Sequence, residues 1–295
     1  MALKIVSADE VIQIDFITLG IYALPGLGKT TLAFTSESPL LLDFDRGAHR
    51  AKNRKDSVSI TTWSDVSEMT REDLAPYKTI LVDTVGRCLD VLSADIIAKN
   101  PKHGNGGSLS LQGFGALKSR FTAWLKLMRT YGKDVVLISH MDEKMEGDIL
   151  KERLDVQGGS KAEIYKSVDA MAKLYIDGKD RKLDFSPREG SLGKNPAQFD
   201  VLTVPSPTVD GKFLGNLLAQ IKANINAQTA KQTALQQGVE GWRVKIEALD
   251  TQDGFNALLA EVVHEVPEVR GMLNAAAVAH GLVFDKKAAA FVEAQ

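Results

Sequence analysis

A short glycine-rich turn stands between an apolar segment and a helical pattern near the start of the chain. The turn reads Ala-Leu-Pro-Gly-Leu-Gly-Lys-Thr over residues 23–30. Glycines in such a turn let backbone N–H groups point inward at an anion, and the start of the next helix adds its dipole. Because a strand, this turn and a helix follow one another, we predict an α/β fold that binds phosphate here. A chance Gly-Lys-Thr on a surface turn is the alternative.

Lys29 and Thr30 of the turn have specific expected roles in holding a nucleotide with Mg²⁺. Lys29 is placed to bridge the β- and γ-phosphates, and the Thr30 hydroxyl is placed to ligate the metal. Ala23 stands where the usual pattern has glycine, and it still lets the chain leave the strand. The predicted nucleotide-binding residues are Pro25, Gly26, Leu27, Gly28, Lys29, Thr30 and Thr31.

Three further apolar segments end in polar side chains, which parallel strands would bring to one edge of a sheet. Residues 79–83 end in Asp83, a carboxylate that can anchor the water shell of Mg²⁺. Residues 39–45 carry two carboxylates at a spacing of two. Asp45, nearer the tip, is predicted to orient the attacking water, and capping the following turn is its alternative role. Residues 135–140 end in His140, which could contact the γ-phosphate or be a plain surface residue.

The first 200 residues alternate β-branched segments with amphipathic ones, which is typical of a parallel sheet wrapped by helices. Predicted strands are 17–23, 39–43, 79–83, 134–139 and 171–176, with shorter ones at 182–185 and 200–204; predicted helices are 29–35, 87–98 and 115–130. After Gly211 the sequence changes to Ala, Gln, Leu and Val at helical spacing, so we predict a core of residues 1–212 and a small helical region of residues 213–295. In that region Thr251 or Asp253 is expected to cap one helix, Gly281 to end another and Asp285 to cap a short last one.

Two segments break this alternation, and a third is notable for its charge. Residues 99–115 are too rich in glycine for a helix and are predicted to form a mobile loop. Residues 141–160 are polar and mixed in charge, end in Gly158-Gly159, and are also predicted to be a loop. Residues 46–55 contain five Lys and Arg side chains and no carboxylate. Such a basic segment could hold a DNA backbone, contact a neighbouring subunit or simply be solvated.

Charge and cysteine content narrow the class of protein. The 36 Lys and Arg residues balance 38 Asp and Glu residues to a net charge of −2, so any site for a polyanion must be local. A single cysteine, Cys88, excludes a disulfide scaffold and a multi-thiolate metal site. The sequence has neither a secretion signal nor an apolar stretch of the roughly 18 residues that a membrane helix needs. We therefore expect a cytoplasmic protein with no membrane partner.

On these motifs the chain resembles the RecA-like ATPase superfamily, especially the short phage recombination proteins that have a RecA-type core and promote single-strand annealing. The likeness covers about residues 17–204. It implies a RecA-like P-loop NTPase core, with a mainly parallel twisted sheet flanked by helices, that hydrolyses ATP with Mg²⁺. Asp45 would activate water, Asp83 would hold the metal and His140 would be the sensor. The host cytoplasm would then be the location of the protein.

The resemblance also implies two DNA-binding loops, at residues 99–115 and 141–160. Gly193-Lys194-Asn195 is similar to part of a motif in the RadA branch, although Pro196 replaces the arginine that follows there. Lys194 would be a finger that enters the site of the next protomer. The residues expected to contact DNA are Lys102, His103, Lys144, Gly158, Gly159, Lys161, Arg50 and Arg54. The implied partners are single-stranded DNA, further copies in a ring or filament, and a host single-strand-binding protein.

Other function classes share the phosphate-binding turn. A RadA-like or hexameric-helicase-like DNA motor has the same core, and it stays open. A small-molecule kinase also stays open, although it would need an acceptor pocket and usually lacks two glycine-marked loops. A GTPase would carry an Asn-Lys-x-Asp guanine reader after the next strand, where this chain has Ser139-His-Met-Asp142, so we set it aside.

Overall fold

The computed structural model describes residues 6–7, 10–157, 160–262 and 265–294. The chain divides into two compact units. The first is Ile14–Ile225, and the second contains the chain from Asn226 onward together with residues before Ile14. Among the described residues, no helix combines the length and the apolar character that a membrane span requires.

A mainly parallel sheet forms the centre of the first unit. Its strands are β1 (Thr18–Ala23), β2 (Pro39–Asp43), β3 (Ser57–Ser59), β4 (Thr79–Asp83), β7 (Asp134–Glu146), β8 (Ile149–Leu154), β9 (Ala170–Asp177), β10 (Asp180–Asp184) and β11 (Leu202–Val204), while β5 (Gly104–Asn105) and β6 (Ser108–Leu109) pair outside it. The order across the sheet is β11-β10-β9-β1-β7-β4-β2-β3, and β8 pairs with β7. Three pairs are antiparallel: β7–β8, β9–β10 and β10–β11.

The helices of this unit cover both faces of the sheet. They are α1 (Lys29–Ala33), α2 (Ser64–Ser67), α3 (Val85–Lys99), α4 (Leu111–Thr130), α5 (Ser160–Ser167) and α6 (Phe213–Glu247), and α6 continues into the second unit. Successive side chains of a strand point to opposite faces. Leu42 and Val82 therefore join the core under α3 and α4, whereas Leu41 and Leu81 join the core under α1 and the start of α6. Central strands buried on both faces explain the continuous apolar segments of the sequence.

The predicted α/β class with a mainly parallel sheet is confirmed. The strands predicted at residues 17–23, 39–43, 79–83 and 171–176 are present within two residues of their predicted ends, and the helix predicted at residues 87–98 is α3. Most of these strands were predictable because they are short, continuous apolar segments buried on both faces, and α3 was predictable because its buried residues follow helical spacing.

The prediction of a mobile loop at residues 99–115 is wrong. This segment contains a 3₁₀ helix, Pro101–His103, then the β5–β6 hairpin, and α4 begins at Leu111. The Ser110 hydroxyl caps α4 by accepting a hydrogen bond from the Gly113 N–H at 3.2 Å. A Cβ atom at position 113 would lie 2.3 Å from the His103 carbonyl oxygen. The glycine therefore permits close packing inside a helix instead of ending it.

The prediction of a loop at residues 141–160 is also wrong over most of its length. β7 runs on to Glu146, turns at Gly147 with φ +63°, and returns as β8. We call residues 141–154 the arm. Its polar side chains hid the strand pattern, because ion pairs such as Lys151–Glu146, 2.6 Å between Nζ and Oε2, replace the apolar alternation of a half-buried strand. Gly158 and Gly159 lie outside the described residues.

The second unit packs helices against a small hairpin. The elements beyond α6 are α7 (Gln252–Val262), α8 (Pro267–Ala279), β12 (Leu282–Asp285) and β13 (Ala290–Glu293). Phe255 and Phe291 lie at the centre of its apolar core. The predicted C-terminal helices are confirmed, but the predicted helix cap at Asp285 is wrong. Asp285 accepts the Lys287 N–H at 2.7 Å and closes the hairpin turn. Gly281, with φ +75°, follows the end of α8 as expected.

The first turns of α6 belong to the first unit. Four of their apolar side chains are at most 4 % exposed and join the core of this unit: Leu214, Leu217, Leu218 and Ile221. The Leu214 N–H also donates to the Thr35 hydroxyl at 3.0 Å, and Lys222 forms an ion pair with the buried Asp134 at 2.7 Å. The chain therefore divides between residues 225 and 226, and not between residues 212 and 213 as the sequence composition indicated.

Two truncated chains test this boundary. Residues 1–225 should unfold cooperatively in urea. Residues 1–212 lack the four buried side chains, each of which contributes roughly 1.5–3 kcal/mol, and the total is comparable to the whole stability of a domain. We expect the shorter chain to be unfolded or aggregated when circular dichroism is followed against urea. Equal midpoints for the two chains would contradict the boundary.

Candidate nucleotide-binding site

The turn between β1 and α1 has the backbone conformation that its glycines permit. Gly26 and Gly28 have φ values of +82° and +79°, in the left-handed region that other residues adopt only with strain. Gly28 directly precedes α1, so the first N–H groups of the helix follow the turn. Left-handed residues in such a turn form a concave nest of N–H groups that suits an anion.

Lys29 places its ammonium group in the middle of the site. The residue is 5 % exposed, and Nζ donates to the carbonyl oxygens of Ala23 and Leu24 at 3.0 and 2.9 Å. Nζ also lies 3.2 Å from Nδ1 of His140. Burial lowers the pKa of Lys29 to about 8, against the opposing effect of the Asp83 and Asp45 carboxylates. A phosphate group would therefore meet a poorly solvated cation, for which an anion is a strong partner.

Thr30 and Asp83 bring two oxygen atoms together at the start of α1. The Thr30 hydroxyl donates to Oδ2 of Asp83 at 2.5 Å. Asp83 ends β4, is 6 % exposed, and is joined to Thr84 by a cis peptide bond. Burial raises the pKa of Asp83, and the Thr30 hydrogen bond opposes that shift. Hydroxyl and carboxylate oxygens are ligands that Mg²⁺ prefers, so the residues present fit the metal that accompanies a nucleotide.

Asp43 and Asp45, at the end of β2 and just after it, have different contacts. Asp43 is buried and accepts hydrogen bonds from the N–H groups of Gly47 and Ala48 at 2.9 and 3.0 Å, so Asp43 caps the following turn. Asp45 instead lines a cavity beside the glycine-rich turn of residues 23–30, which we call the phosphate turn. Its Oδ1 lies 3.4 Å from Nε of Arg87. The capping role that we considered for Asp45 belongs to Asp43.

His140 connects the cation of the site to its carboxylate. Nδ1 faces the Lys29 ammonium at 3.2 Å, and Nε2 lies 3.5 Å from Oδ2 of Asp45. Because an ammonium group can only donate, Nδ1 acts as the acceptor and the Nε2 proton points to the carboxylate. β7 places the ring there because it pairs with β1 on one side and with β4 on the other.

One cavity of about 290 Å³ gathers four of the five predicted catalytic residues. Lys29, Asp45, Asp83 and His140 all line it. Of the predicted nucleotide-binding residues, all but Leu27 line it, and Leu27 lines a neighbouring cavity. Three lining residues were not predicted for this site from the sequence: Gly47, Arg50 and Ala51.

Lys194 does not reach this cavity. Its backbone pairs with Met171, and its Nζ donates to the Val168 carbonyl oxygen at 2.8 Å. Nζ also lies 4.7 Å from the centre of the Tyr165 ring. A finger that enters the next protomer would have to leave these contacts, so that role stays a prediction.

The other residues expected to contact DNA lie on several elements. Lys102 is exposed on the 3₁₀ helix, His103 faces the Asn100 side chain at 3.3 Å, Lys144 is exposed on the arm, and Lys161 lies on α5. Their contact with DNA stays a prediction.

A family model described as AAA domain matches residues 15–197, the part of the chain that carries this site. The chain belongs to the AAA domain family. It is an ATPase with a P-loop core, as predicted. No curated protein matches the sequence of this AAA protein.

Two solved structures show a weak likeness to this AAA protein. A KaiC-like protein from the archaeon Pyrococcus horikoshii is 12 % identical over 57 % of this chain and 76 % of its own, with a TM-score of 0.36. An ATPase from the type III secretion system of pathogenic bacteria is 15 % identical over 54 % of this chain, with a TM-score of 0.33. This chain spans about half, 51 %, of the second protein. The assignment rests on the family match and the site, and not on these two likenesses.

The pKa of Lys29 gives a testable pH dependence. A lysine with a pKa of about 8 is fully charged below about pH 7 and loses its proton as the pH rises through 8. Since the phosphates favour the charged form, the ATP affinity should fall as the pH rises above about 7. The side chain of the Lys29→Arg variant stays charged, so this loss of affinity should be absent there. In fluorescent-nucleotide titrations, the ratio of the wild-type ATP affinity to the variant ATP affinity should therefore fall as the pH rises above about 7.

Lys29→Ala provides the control for this experiment. It should abolish hydrolysis while the circular dichroism spectrum stays that of a folded protein. The role of this ammonium group would be contradicted if Lys29→Ala hydrolysed ATP as fast as the wild type. It would also be contradicted if the ratio of wild-type to Lys29→Arg affinity did not change with pH.

Proposed function

We propose that this ATPase binds single-stranded DNA under the control of ATP and promotes single-strand annealing in homologous recombination. The arm supports this proposal most strongly. β7 carries His140 in the nucleotide cavity and continues without interruption to Glu146, at the tip of the arm. A change at the phosphates that displaces His140 acts directly on a strand that projects beyond the site.

The return strand of the arm is held to the same site. The Asp155 N–H donates to the His140 carbonyl oxygen at 2.9 Å. The Glu152 carboxylate accepts the Ser191 hydroxyl at 2.5 Å and forms an ion pair with Lys173. The same carboxylate lies 3.2 Å from the hydroxyl of Tyr22, the residue directly before the phosphate turn. Burial raises the pKa of Tyr22, so this hydroxyl stays protonated and can donate.

The surface of the arm suits a weak, nucleotide-dependent contact with unpaired bases. Met145, Ile149 and Leu150 are exposed near its tip and offer apolar surface to base faces. Lys151 and Arg153 already pair with Glu146, and Lys144 has no ion pair among the described residues. The arm carries five carboxylates and three cations, so its own net charge is negative and affinity for DNA needs other segments as well.

The two segments that we expected to contact DNA are linked through the helices that follow them. α4 follows residues 99–110 and α5 follows the arm. Lys118 of α4 pairs with Glu163 of α5 at 3.0 Å between Nζ and Oε1. Side chains of both helices, among them Phe121 and Ile164, share one apolar core. We propose that Lys102, Lys144 and Lys161 act together on one strand of DNA.

The site geometry supports hydrolysis by in-line attack of water. Lys29 and the N–H groups of the turn would hold the phosphates, and Thr30 and Asp83 would hold Mg²⁺, which supplies positive charge to the phosphate oxygens. Asp45, held by Arg87 and His140, would accept a hydrogen bond from the attacking water and orient it. Loss of the γ-phosphate would free Lys29 and shift His140, which would release the arm from DNA.

The proposal includes assembly into a ring or filament and contact with a host single-strand-binding protein. A motor of the RadA or hexameric-helicase type would share the core and the arm. Annealing and unwinding assays on one preparation distinguish the two functions. Annealing without ATP-driven unwinding supports our proposal, and unwinding would favour the motor.

Removal of three lysines tests the DNA surface. In a fluorescence anisotropy titration with a labelled single strand and ATP, the triple variant Lys102→Ala, Lys144→Ala, Lys161→Ala should bind more weakly. Log affinity falls with log salt concentration, and this dependence should be less steep in the variant. The magnitude of the slope should be smaller by about 2, because each of the three lost phosphate contacts contributes about 0.7 for a single strand. The control variant removes three exposed lysines elsewhere: Lys126→Ala, Lys231→Ala, Lys286→Ala. Equal affinities and slopes for the two variants, or no binding by the wild type at low salt, would refute the proposed surface.

A further inference from the structure

The basic segment of residues 46–55 lies beside the nucleotide cavity, where Arg50 forms part of the lining. We propose that Arg50 binds the terminal phosphate of ATP from within its own chain and thereby distinguishes ATP from ADP. The sequence analysis expected this arginine to contact DNA. The inference rests on the ATPase activity of the chain and is independent of the proposed DNA binding.

The position of Arg50 is fixed from both sides. Arg50 ends a short 3₁₀ helix, Ala48–Arg50. Before it, the buried Asp43 carboxylate holds the N–H groups of Gly47 and Ala48 at the end of β2. After it, the Asn53 side chain donates to the Thr31 carbonyl oxygen of α1 at 3.1 Å. The segment is thus attached to β2, which directly precedes Asp45, and to α1, the helix that follows the phosphate turn.

The guanidinium group of Arg50 is available to a ligand. No ion pair joins it to a carboxylate within the part of the chain that the structure describes, although Asp45 and Asp83 line the same cavity. The group lies across the backbone of Gly47, where a Cβ atom would be 2.5 Å from its Nη2 atom. Glycine at position 47 therefore allows the arginine to lie where it does.

ATP has one more phosphate group than ADP, and Lys29 is placed to bridge the β- and γ-phosphates. A second cation that contacts the γ-phosphate alone would therefore distinguish ATP from ADP. A guanidinium group offers a planar fork of N–H donors that matches two phosphate oxygens, and it keeps its charge at any physiological pH. Arg50 lines the same cavity as Lys29 and Thr30 and provides that fork there.

Three variants of the segment separate this role from a general effect of charge. Arg50→Ala removes the fork, and Arg50→Lys keeps only a point charge. Gly47→Ala keeps the arginine but displaces it, and the Gly47 φ of −101° is one that alanine adopts without strain. Lys55→Ala is the matched control, because Lys55 is an exposed cation of the same segment that does not line this cavity.

The experiment measures the affinities of ATP and ADP for each variant by isothermal titration calorimetry in the presence of Mg²⁺ and in the absence of DNA. Arg50→Ala should lower the ATP affinity about tenfold or more, as expected for a lost charge-assisted hydrogen bond, and should change the ADP affinity by less than about twofold. Gly47→Ala should lower the ATP affinity less than Arg50→Ala does, because the displaced Nη2 atom is the end of a flexible side chain that can move aside. Arg50→Lys should fall between wild type and Arg50→Ala. Lys55→Ala should bind both nucleotides as the wild type does.

Equal losses of ATP and ADP affinity in Arg50→Ala, or no loss of either, would overturn the inference. Failure of the proposed annealing function would leave these nucleotide affinities as expected, since no DNA is present. A wild-type protein that binds no ATP would overturn both the site and this inference.

Discussion

The pairing of β7 with β1 on one side and with β4 on the other determines how the nucleotide site works. It places His140 between the phosphate turn, which follows β1, and Asp83, which ends β4. The ring then contacts Lys29 through one nitrogen and Asp45 through the other. The same strand leaves the sheet as the first half of the arm. A single element therefore connects the atoms that would sense a phosphate to the segment that we propose contacts DNA.

Electrostatics in the cavity depend on this arrangement. The low pKa of Lys29 and the raised pKa of Asp83 have the same first cause, which is burial of a charged group. Each group partly offsets the cost of burying the other. A nucleotide with its metal would supply stronger partners to both, so binding can replace the contacts among Lys29, His140 and Asp45. That exchange of partners is the physical basis of the proposed control of the arm by ATP.

Local patterns were enough to predict the phosphate turn, Asp83, Asp45 and His140, because each stands at the end of an apolar strand and parallel strands end at one edge. The arm was missed because charged pairs across it replaced the apolar alternation that signals a strand. The start of α4 was missed because Gly113 serves close packing there. No sequence pattern indicated that Arg87 belongs to the site, since its ion pair with Asp45 exists only once β2 and α3 are neighbours. The basic segment showed its charge in the sequence, but the direction in which Arg50 points required the structure.

Hydrogen exchange followed by mass spectrometry tests the central claim most directly. The amides of residues 141–154 are compared without nucleotide, with ADP, and with a non-hydrolysable ATP analogue, and the β12–β13 hairpin, which shares no strand with the site, is the internal reference. Our account predicts that the ATP analogue alters exchange in the arm, that ADP alters it less, and that the reference hairpin stays unchanged. Protection confined to the phosphate turn, with the arm exchanging at the same rate in all three states, would contradict it.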